Sequence, residues 1–158
     1  LVFKGRKRQL MTPSLYTELF FLDEVTAFAA GHRPCAECRR SRFNEFKQAW
    51  LVAHPELTPT KLKVADIDAL LHQQRIGKDH RKTVWQACLE DLPVGTMIEH
   101  EGRYYAVHAS GLREWRIEGY GEIVSLPALT TVSVLTPQAT VAVFTAGYEP
   151  IFHPSVND

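Results

Sequence analysis

The hydrophobic pattern of this chain changes period at one short break, the LPVG sequence at residues 92–95. Before the break, apolar residues recur at helical spacing, and after it they alternate with polar residues in short runs. Short alternating runs separated by glycine-containing turns predict an antiparallel β meander. Helices, then strands and a last helix predict an α+β fold. Because the break is short, we expect one compact domain over residues 1–158, with a helical part at about 1–91 and the meander and C-terminal helix at about 96–158.

The first elements of the helical part follow from local signals. The apolar run Tyr16–Leu22 is interpreted as a buried strand or an extended entry to the fold. Asp23 can then cap the N-terminus of a short helix over Glu24–Ala30. Gly31 stands where a helix commonly ends in a left-handed residue, so we expect the helix to end there.

Three amphipathic helices are predicted to follow. The first covers about residues 36–52, with aromatic residues at i, i+3 and i+7. The second ends near Gly77. The third has Cys88 on its apolar face, so this cysteine is expected to be a buried core residue. The residues that define the three apolar faces are Phe43, Phe46 and Trp50, then Ile67, Leu70 and Leu71, and last Val84, Trp85, Cys88 and Leu89.

After the break, the runs TMIEH, RYYAVH and LREWRI predict the strands of the meander. A further strand is predicted over Thr131–Leu135. A last helix is expected to begin directly afterwards, with Thr136 as its N-cap and Pro137 at its first position.

Composition limits the function classes. The 18 Lys and Arg residues balance the 18 Asp and Glu residues, and a net charge of zero argues against a general nucleic-acid scaffold. Three cysteines, two of them close together, do not resemble a secreted disulfide framework. No apolar run approaches the roughly 20 residues of a membrane span. We therefore expect a cytoplasmic protein without membrane contact, whose natural chain extends upstream of Leu1.

Basic residues nevertheless concentrate beside the cysteines. Arg33, Arg39, Arg40 and Arg42 are predicted to contact nucleic-acid phosphates. A second basic stretch, residues 71–85, is compatible with phosphate contacts and equally with a solvated link between two helices. Its cations are Arg75, Lys78, Arg81 and Lys82.

The sequence GHRPCAECRR, residues 31–40, carries the most specific chemistry of the chain. Two thiolates at Cys-x2-Cys spacing can hold one soft or borderline cation from a tight turn. The positive end of the following helix would stabilise thiolate charge. Three interpretations stay open for Cys35 and Cys38: a metal site, present or ancestral; a turn that binds nothing; and a redox dithiol.

The stretch FFLDEVTAFAAGHRPCAECRR, about residues 20–40, resembles the second half of the Ada-type N-terminal metal-binding domain of DNA alkyl-phosphotriester repair proteins. The shared string is Ala-Ala-Gly-x-Arg-Pro-Cys-x2-Cys. The resemblance implies a treble-clef-like N-terminal part in which Cys35 and Cys38 are the downstream pair of a zinc site. That family has another cysteine pair upstream, which includes the methyl acceptor. By spacing, this pair would fall near Lys4 and Arg8, where the sequence has no cysteine. Methyl transfer is therefore not carried over to this chain.

The remaining zinc ligands would have to lie upstream of Leu1, be histidines such as His32 or His153, or be absent. The nearby acidic pair Asp23 and Glu24 is interpreted as helix-cap residues rather than as ligands. The leading hypothesis is a small metal-binding protein, with structural zinc and nucleic-acid contact.

Two further hypotheses stay open. One is an enzyme whose site lies between the helical part and the meander and uses histidines with Arg113 or Trp115. The other is a redox dithiol protein that uses the cysteine pair.

The chain also contains an internal echo. VTAFAAGHRP at residues 25–34 aligns without gaps with VAVFTAGYEP at residues 141–150. The favoured interpretation is one helix exit used twice, with glycine after the helix and proline beyond it. The second copy has no cysteine, so the exit itself does not require Cys35 and Cys38.

Overall fold

The computed structural model describes residues 2–3, 6–7, 12–14, 19–58, 60 and 62–158. Its helices are α1 (Glu24–Ala29), α2 (Arg40–Ala53), α3 (Val64–Arg75) and α4 (Gln138–Thr145). The short strands β1 (Val2–Phe3) and β2 (Arg6–Lys7) pair with each other. The main sheet contains β3 (Trp85–Cys88), β4 (Met97–His100), β5 (Arg103–His108), β6 (Gly111–Arg116), β7 (Gly119–Val124) and β8 (Thr131–Val134).

This content confirms the predicted α+β class. The main sheet is antiparallel throughout, in the order β3-β8-β4-β5-β6-β7. Consecutive strands from β4 to β7 are neighbours, which confirms the meander. The sequence interpretation missed β7, because its GYGEIV sequence has two glycines and lacks a clean alternation. The treble-clef-like detail of the N-terminal part stays a prediction.

The prediction of a third amphipathic helix is wrong, because that segment contains β3. Trp85 lies opposite Val134 of β8, and Cys88 lies opposite Thr131. The Trp85 indole Nε1 also donates to the Thr136 carbonyl at 2.9 Å. An apolar spacing that suits a helix is therefore overridden by pairing with a distant strand. Cys88 is half-buried at the edge of the sheet, so its prediction as a buried helical core residue is also wrong.

Other boundaries differ in detail. The segment Tyr16–Leu22, interpreted as a buried strand or an extended entry, falls partly outside the described residues. Its described part, residues 19–22, is not a strand, and Leu19 and Phe20 are exposed. Helix α2 begins at Arg40 rather than near residue 36, because residues 36–39 form turns.

The N-cap prediction for α4 is wrong by one residue. Pro137 is the N-cap, and its carbonyl accepts from the backbone N–H groups of Thr140 and Val141 at 2.9 and 3.0 Å. The hydroxyl of Thr136, a fully buried residue, instead accepts from the Met97 backbone N–H at 2.9 Å. The threonine therefore joins the helix to the sheet rather than capping it.

Helix α1 stands between two parts of the core. Phe28 packs in the helical core with residues of α2, α3 and α4, whereas Val25 and Ala29 pack on the sheet with Met97 and Ala106. Successive residues of a strand point to opposite faces, so Ile98, next to Met97, belongs to the core on the other face. Helix α1 is thus held against both the other helices and the sheet.

Candidate functional site

The Cys35–Cys38 turn lies between the exit of α1 and the first residue of α2. Both cysteines are exposed, and neither is in a disulfide. The backbone N–H of Glu37 points at the Cys35 sulfur, with N and Sγ 3.4 Å apart. The Arg39 N–H donates to the Cys35 carbonyl at 3.1 Å and closes the turn. The turn thus presents two thiols and directs a backbone donor at one of them.

The two thiols are electrostatically different. The backbone N–H groups of Cys38 and Glu37 stabilise the Cys35 thiolate and lower the pKa of Cys35 below its ordinary value. Burial, with the hydrogen bond and charge of Cys35, raises the pKa of Cys38. Cys35 therefore ionises first, and its charge disfavours ionisation of Cys38.

A complete metal site needs more ligands than this turn supplies. Within the described ranges, no group of three or more His, Cys, Asp or Glu side chains is placed to hold a metal ion. Among the residues outside those ranges, Glu18 alone is of these four types. Structural zinc is bound by four ligands. The described residues therefore supply two candidate zinc ligands at this turn and not a closed site.

The two histidines considered as ligands are engaged elsewhere. His32 Nε2 lies 3.3 Å from Arg75 Nη1, and burial, together with the Arg75 charge, lowers the pKa of His32. The His153 ring contacts the Ser155 hydroxyl, with Nδ1 and Oγ 2.9 Å apart, and its backbone N–H donates to Asp23. Neither histidine forms a metal-binding group with the cysteines in the described part of the chain.

Three of the four arginines predicted to contact nucleic acid are held by carboxylates of this chain. Arg33 makes two hydrogen bonds to Asp68, from Nε and Nη2, at 2.7 and 2.8 Å. Arg39 pairs with Glu24 at 2.9 Å. Arg42 also pairs with Glu24, and Arg40 makes no ion pair within the described ranges. The four residues therefore do not form a continuous free cationic face.

The buried carboxylate of Glu24 is the centre of this network. It accepts two hydrogen bonds from Arg42, at 3.2 and 2.7 Å, and one each from the Tyr148 hydroxyl and the Ile151 N–H, both at 3.1 Å. Burial opposes its ionisation, but these partners outweigh burial and lower the pKa of Glu24. The cap interpretation holds for Asp23, whose Oδ1 accepts from the Thr26 N–H at 2.8 Å. Glu24 is instead an ion-pair residue.

The internal echo is confirmed as one helix exit used twice. Gly31 and Gly147 have φ values of +78° and +98°. Each glycine N–H donates to the carbonyl of a phenylalanine three residues earlier, at 2.8 and 2.9 Å. These are Phe28 and Phe144, and their rings meet edge to face at 5.2 Å between centroids. The two exits therefore pack against each other.

The hypothesis of a site between the helical part and the meander corresponds to a cleft there. The cleft is open to solvent and has a volume of about 230 Å³ between the C-terminal part of α1 and the sheet. Trp115 lines it, but Arg113 and, within the described part of the chain, the histidines do not. Arg113 is buried and donates to the Val156 carbonyl. The cation among the described lining residues of the cleft is Lys82, which the sequence analysis placed only in the basic stretch of residues 71–85.

Comparison with known proteins adds no relative. No protein-family model, no curated protein and no solved structure matches this chain. The Ada-like resemblance of residues 20–40 stays a prediction. None of the helices in the described ranges is both long and apolar enough to cross a membrane.

Proposed function

We propose that the Cys35–Cys38 turn is half of a structural zinc site, completed by ligands from outside these 158 residues. The observation that carries the proposal is the turn itself. It presents two exposed, unpaired thiols and directs the Glu37 N–H at the Cys35 sulfur. Backbone donors to a ligand sulfur orient and stabilise the thiolate that a metal binds.

The electrostatics of the pair support a metal ligand role. Burial, with the hydrogen bond and charge of Cys35, raises the pKa of Cys38, and a divalent cation would offset these effects because it stabilises both thiolates at once. Zinc prefers cysteine sulfur, and its binding energy adds to folding energy when the ligands are otherwise mobile. Bound metal would fix the turn that leads into α2.

Nucleic-acid contact is the second element of the proposal, with fewer arginines than the sequence predicted. Arg33, Arg39 and Arg42 are compensated by Asp68 and Glu24. The exposed Arg40 carries a charge with no ion pair in the described part of the chain, beside Arg39, whose side chain is 49% exposed. Phosphate contact is therefore proposed for this edge of the turn.

A redox role is the second candidate function. Its support is the split between a Cys35 thiol with a lowered pKa and a Cys38 thiol with a raised one. The Cys35 thiolate would attack a disulfide of a partner and release one partner thiol. Cys38 would then attack the mixed disulfide, so that the Cys35–Cys38 disulfide forms and the partner disulfide becomes two thiols.

Metal analysis of the natural full-length chain, purified under reducing conditions, tests the zinc proposal. We expect one zinc ion per chain, or one per two chains when a second copy completes the site. Cys35→Ser and Cys38→Ser should each abolish zinc retention during dialysis against a mild chelator. Cys88→Ser is the matched control and should retain zinc, since Cys88 lies on β3 at the edge of the sheet.

Two outcomes contradict the proposal. The first is a wild-type chain that retains no zinc after incubation with excess zinc. The second is equal zinc content in wild type and Cys35→Ser. Metal-free protein that converts reversibly to an intramolecular Cys35–Cys38 disulfide, with zinc absent, would support the redox candidate instead.

A further inference from the structure

The cleft between α1 and the sheet has an apolar interior. Its walls come from the end of α1, from β4, β5 and β6 and from the residue after β8. The apolar lining residues are Ala29, Ala30, Met97, Tyr104, Trp115 and Leu135. The Tyr104 and Trp115 rings stand nearly perpendicular, with centroids 6.4 Å apart. The cleft thus offers aromatic surfaces to a ring of a ligand.

One cation stands at this apolar surface. Although Lys82 as a whole is exposed, its Nζ is anchored by the Ala29 and Leu135 carbonyls, at 2.5 and 2.6 Å. An ammonium group has three donors, so one N–H is left for another acceptor. Lys82 makes no ion pair with a carboxylate within the described ranges.

A second cation, Arg75, lies beside it. Arg75 Nη1 donates to the Ala30 carbonyl at 3.3 Å, and its buried Nε has no hydrogen-bond partner among the described residues. Burial, together with the positive charge of Arg75, lowers the pKa of Lys82 to about 8. Two neighbouring cations have carbonyl partners and, within the described ranges, no ion pair with a carboxylate. Together they create a positive potential at the cleft, which an anion would relieve.

We propose that this cleft binds a small aromatic monocarboxylate, with its carboxylate on Lys82 and its ring against Trp115 and Tyr104. The volume of about 230 Å³ lies below the roughly 300–1,000 Å³ of drug-sized sites, so the ligand is small. The charge of the cleft selects an anion, and the apolar walls select a ring. This site is separate from the cysteine turn and does not depend on zinc.

The test is a titration of the full chain with 4-methylbenzoate, followed through the indole N–H signal of Trp115 in nitrogen-15 correlation spectra. The neutral matched probe is 4-methylbenzamide. We expect saturable shifts of the Trp115 signal with the carboxylate and an affinity at least about tenfold weaker for the amide, because a charged hydrogen bond is lost.

Three variants separate charge from shape. Lys82→Met should weaken carboxylate binding by about tenfold or more and leave amide binding unchanged. Ala30→Leu should weaken binding of both probes, because the added side chain fills the cleft while Lys82 is retained. Lys63→Met is the matched control, since it removes an exposed lysine next to the start of α3, and should bind like wild type.

Specific results would overturn the inference. Equal affinity for 4-methylbenzoate and 4-methylbenzamide would contradict the proposed contact between Lys82 and the carboxylate. Unchanged binding in Ala30→Leu places the ligand elsewhere. Absence of saturable shifts with either probe removes the site. Loss of binding in Lys82→Met counts against or for the site only if the spectrum of this variant is native-like. If Lys82→Met does not fold, Ala30→Leu tests the site independently.

Discussion

The exit of α1 at Gly31 and the exit of α4 at Gly147 have the same backbone hydrogen bonds and different surroundings. The residue after Gly147 is Tyr148, which is buried in the aromatic core and donates to Glu24. The residue after Gly31 is His32, which is half-buried and contacts Arg75. The exit of α4 therefore places a side chain in the core, while the exit of α1 leads to an exposed turn with two thiols.

This difference separates residues that the helix exit requires from residues that it does not require. The second exit works without cysteines, and the first has them where neither is buried. Core packing therefore does not account for Cys35 and Cys38. The three interpretations of the turn, a metal site, a redox dithiol and a turn that binds nothing, all stay predictions. Substitutions at the two exits should separate packing from chemistry.

The largest difference is expected at the residues that follow the two glycines. Tyr148→Ala should lower the free energy of unfolding by about 3–5 kcal/mol, because a buried aromatic ring is removed. His32→Ala should cost less than about 1 kcal/mol, since a half-buried ring at the surface is removed. Chemical denaturation followed by circular dichroism measures both. Equal costs would contradict the assignment of the two exits to core and surface.

A smaller effect is expected at Glu24, whose carboxylate binds Tyr148, after the exit of α4, and Arg42 of α2. Glu24→Gln should lower the free energy of unfolding by about 2–3 kcal/mol, since Arg42 loses a charged partner in a buried place. Glu45→Gln removes an exposed carboxylate from the same arginine and should change it by about 0.5 kcal/mol or less.

The Glu24 effect should depend on pH. Its pKa is lowered in the folded protein from an ordinary value of 4.5, so its contribution is present above that value. The contribution is lost as pH falls through the lower folded pKa. The stability difference between wild type and Glu24→Gln should therefore shrink below about pH 4.5. A difference that grows in acid would contradict the ion-pair role.

The two glycines should also differ. Gly147→Ala should cost about 1–2 kcal/mol, the penalty of a left-handed conformation, because the added methyl group meets nothing within 4 Å. Gly31→Ala should cost more, since its methyl group would lie 2.5 Å from Arg75 Cδ. Thermal unfolding of both variants measures the difference. Equal costs would show that Arg75 moves aside freely.

The smallest effect is expected at the thiols in metal-free protein. Cys35→Ser and Cys38→Ser should change the free energy of unfolding by about 0.5 kcal/mol or less, because both side chains are exposed. If metal-bound full-length protein is more stable, the same variants should lose that gain. Strong destabilisation by either variant without metal would contradict the conclusion that core packing does not account for Cys35 and Cys38.

Local signals predicted much of the fold. The cap at Asp23, the two glycine exits and the meander depend on residues close in sequence, and the structure has them. The sequence did not predict β3, because its apolar spacing suits a helix and its partner β8 lies about 45 residues later.

The candidate sites were less predictable for the same reason. Cys35 and Cys38 stand out as a motif, but the compensation of Arg33 by Asp68 is non-local. The place of Lys82 beside α1 depends on contacts 53 residues away. Such contacts leave no periodic pattern in the sequence.

The position of β8 in the sheet has a consequence for the order in which the chain folds during synthesis. Strands β4 to β7 are joined by short turns and can pair as soon as they leave the ribosome. Strand β3 is made before them, but its native neighbour is β8, which is made after all of them. Until then the backbone donors of β3 have no native strand to meet. During synthesis, the nascent chain therefore exposes an unpaired strand, β3, and chaperones act on unpaired strand edges of this kind.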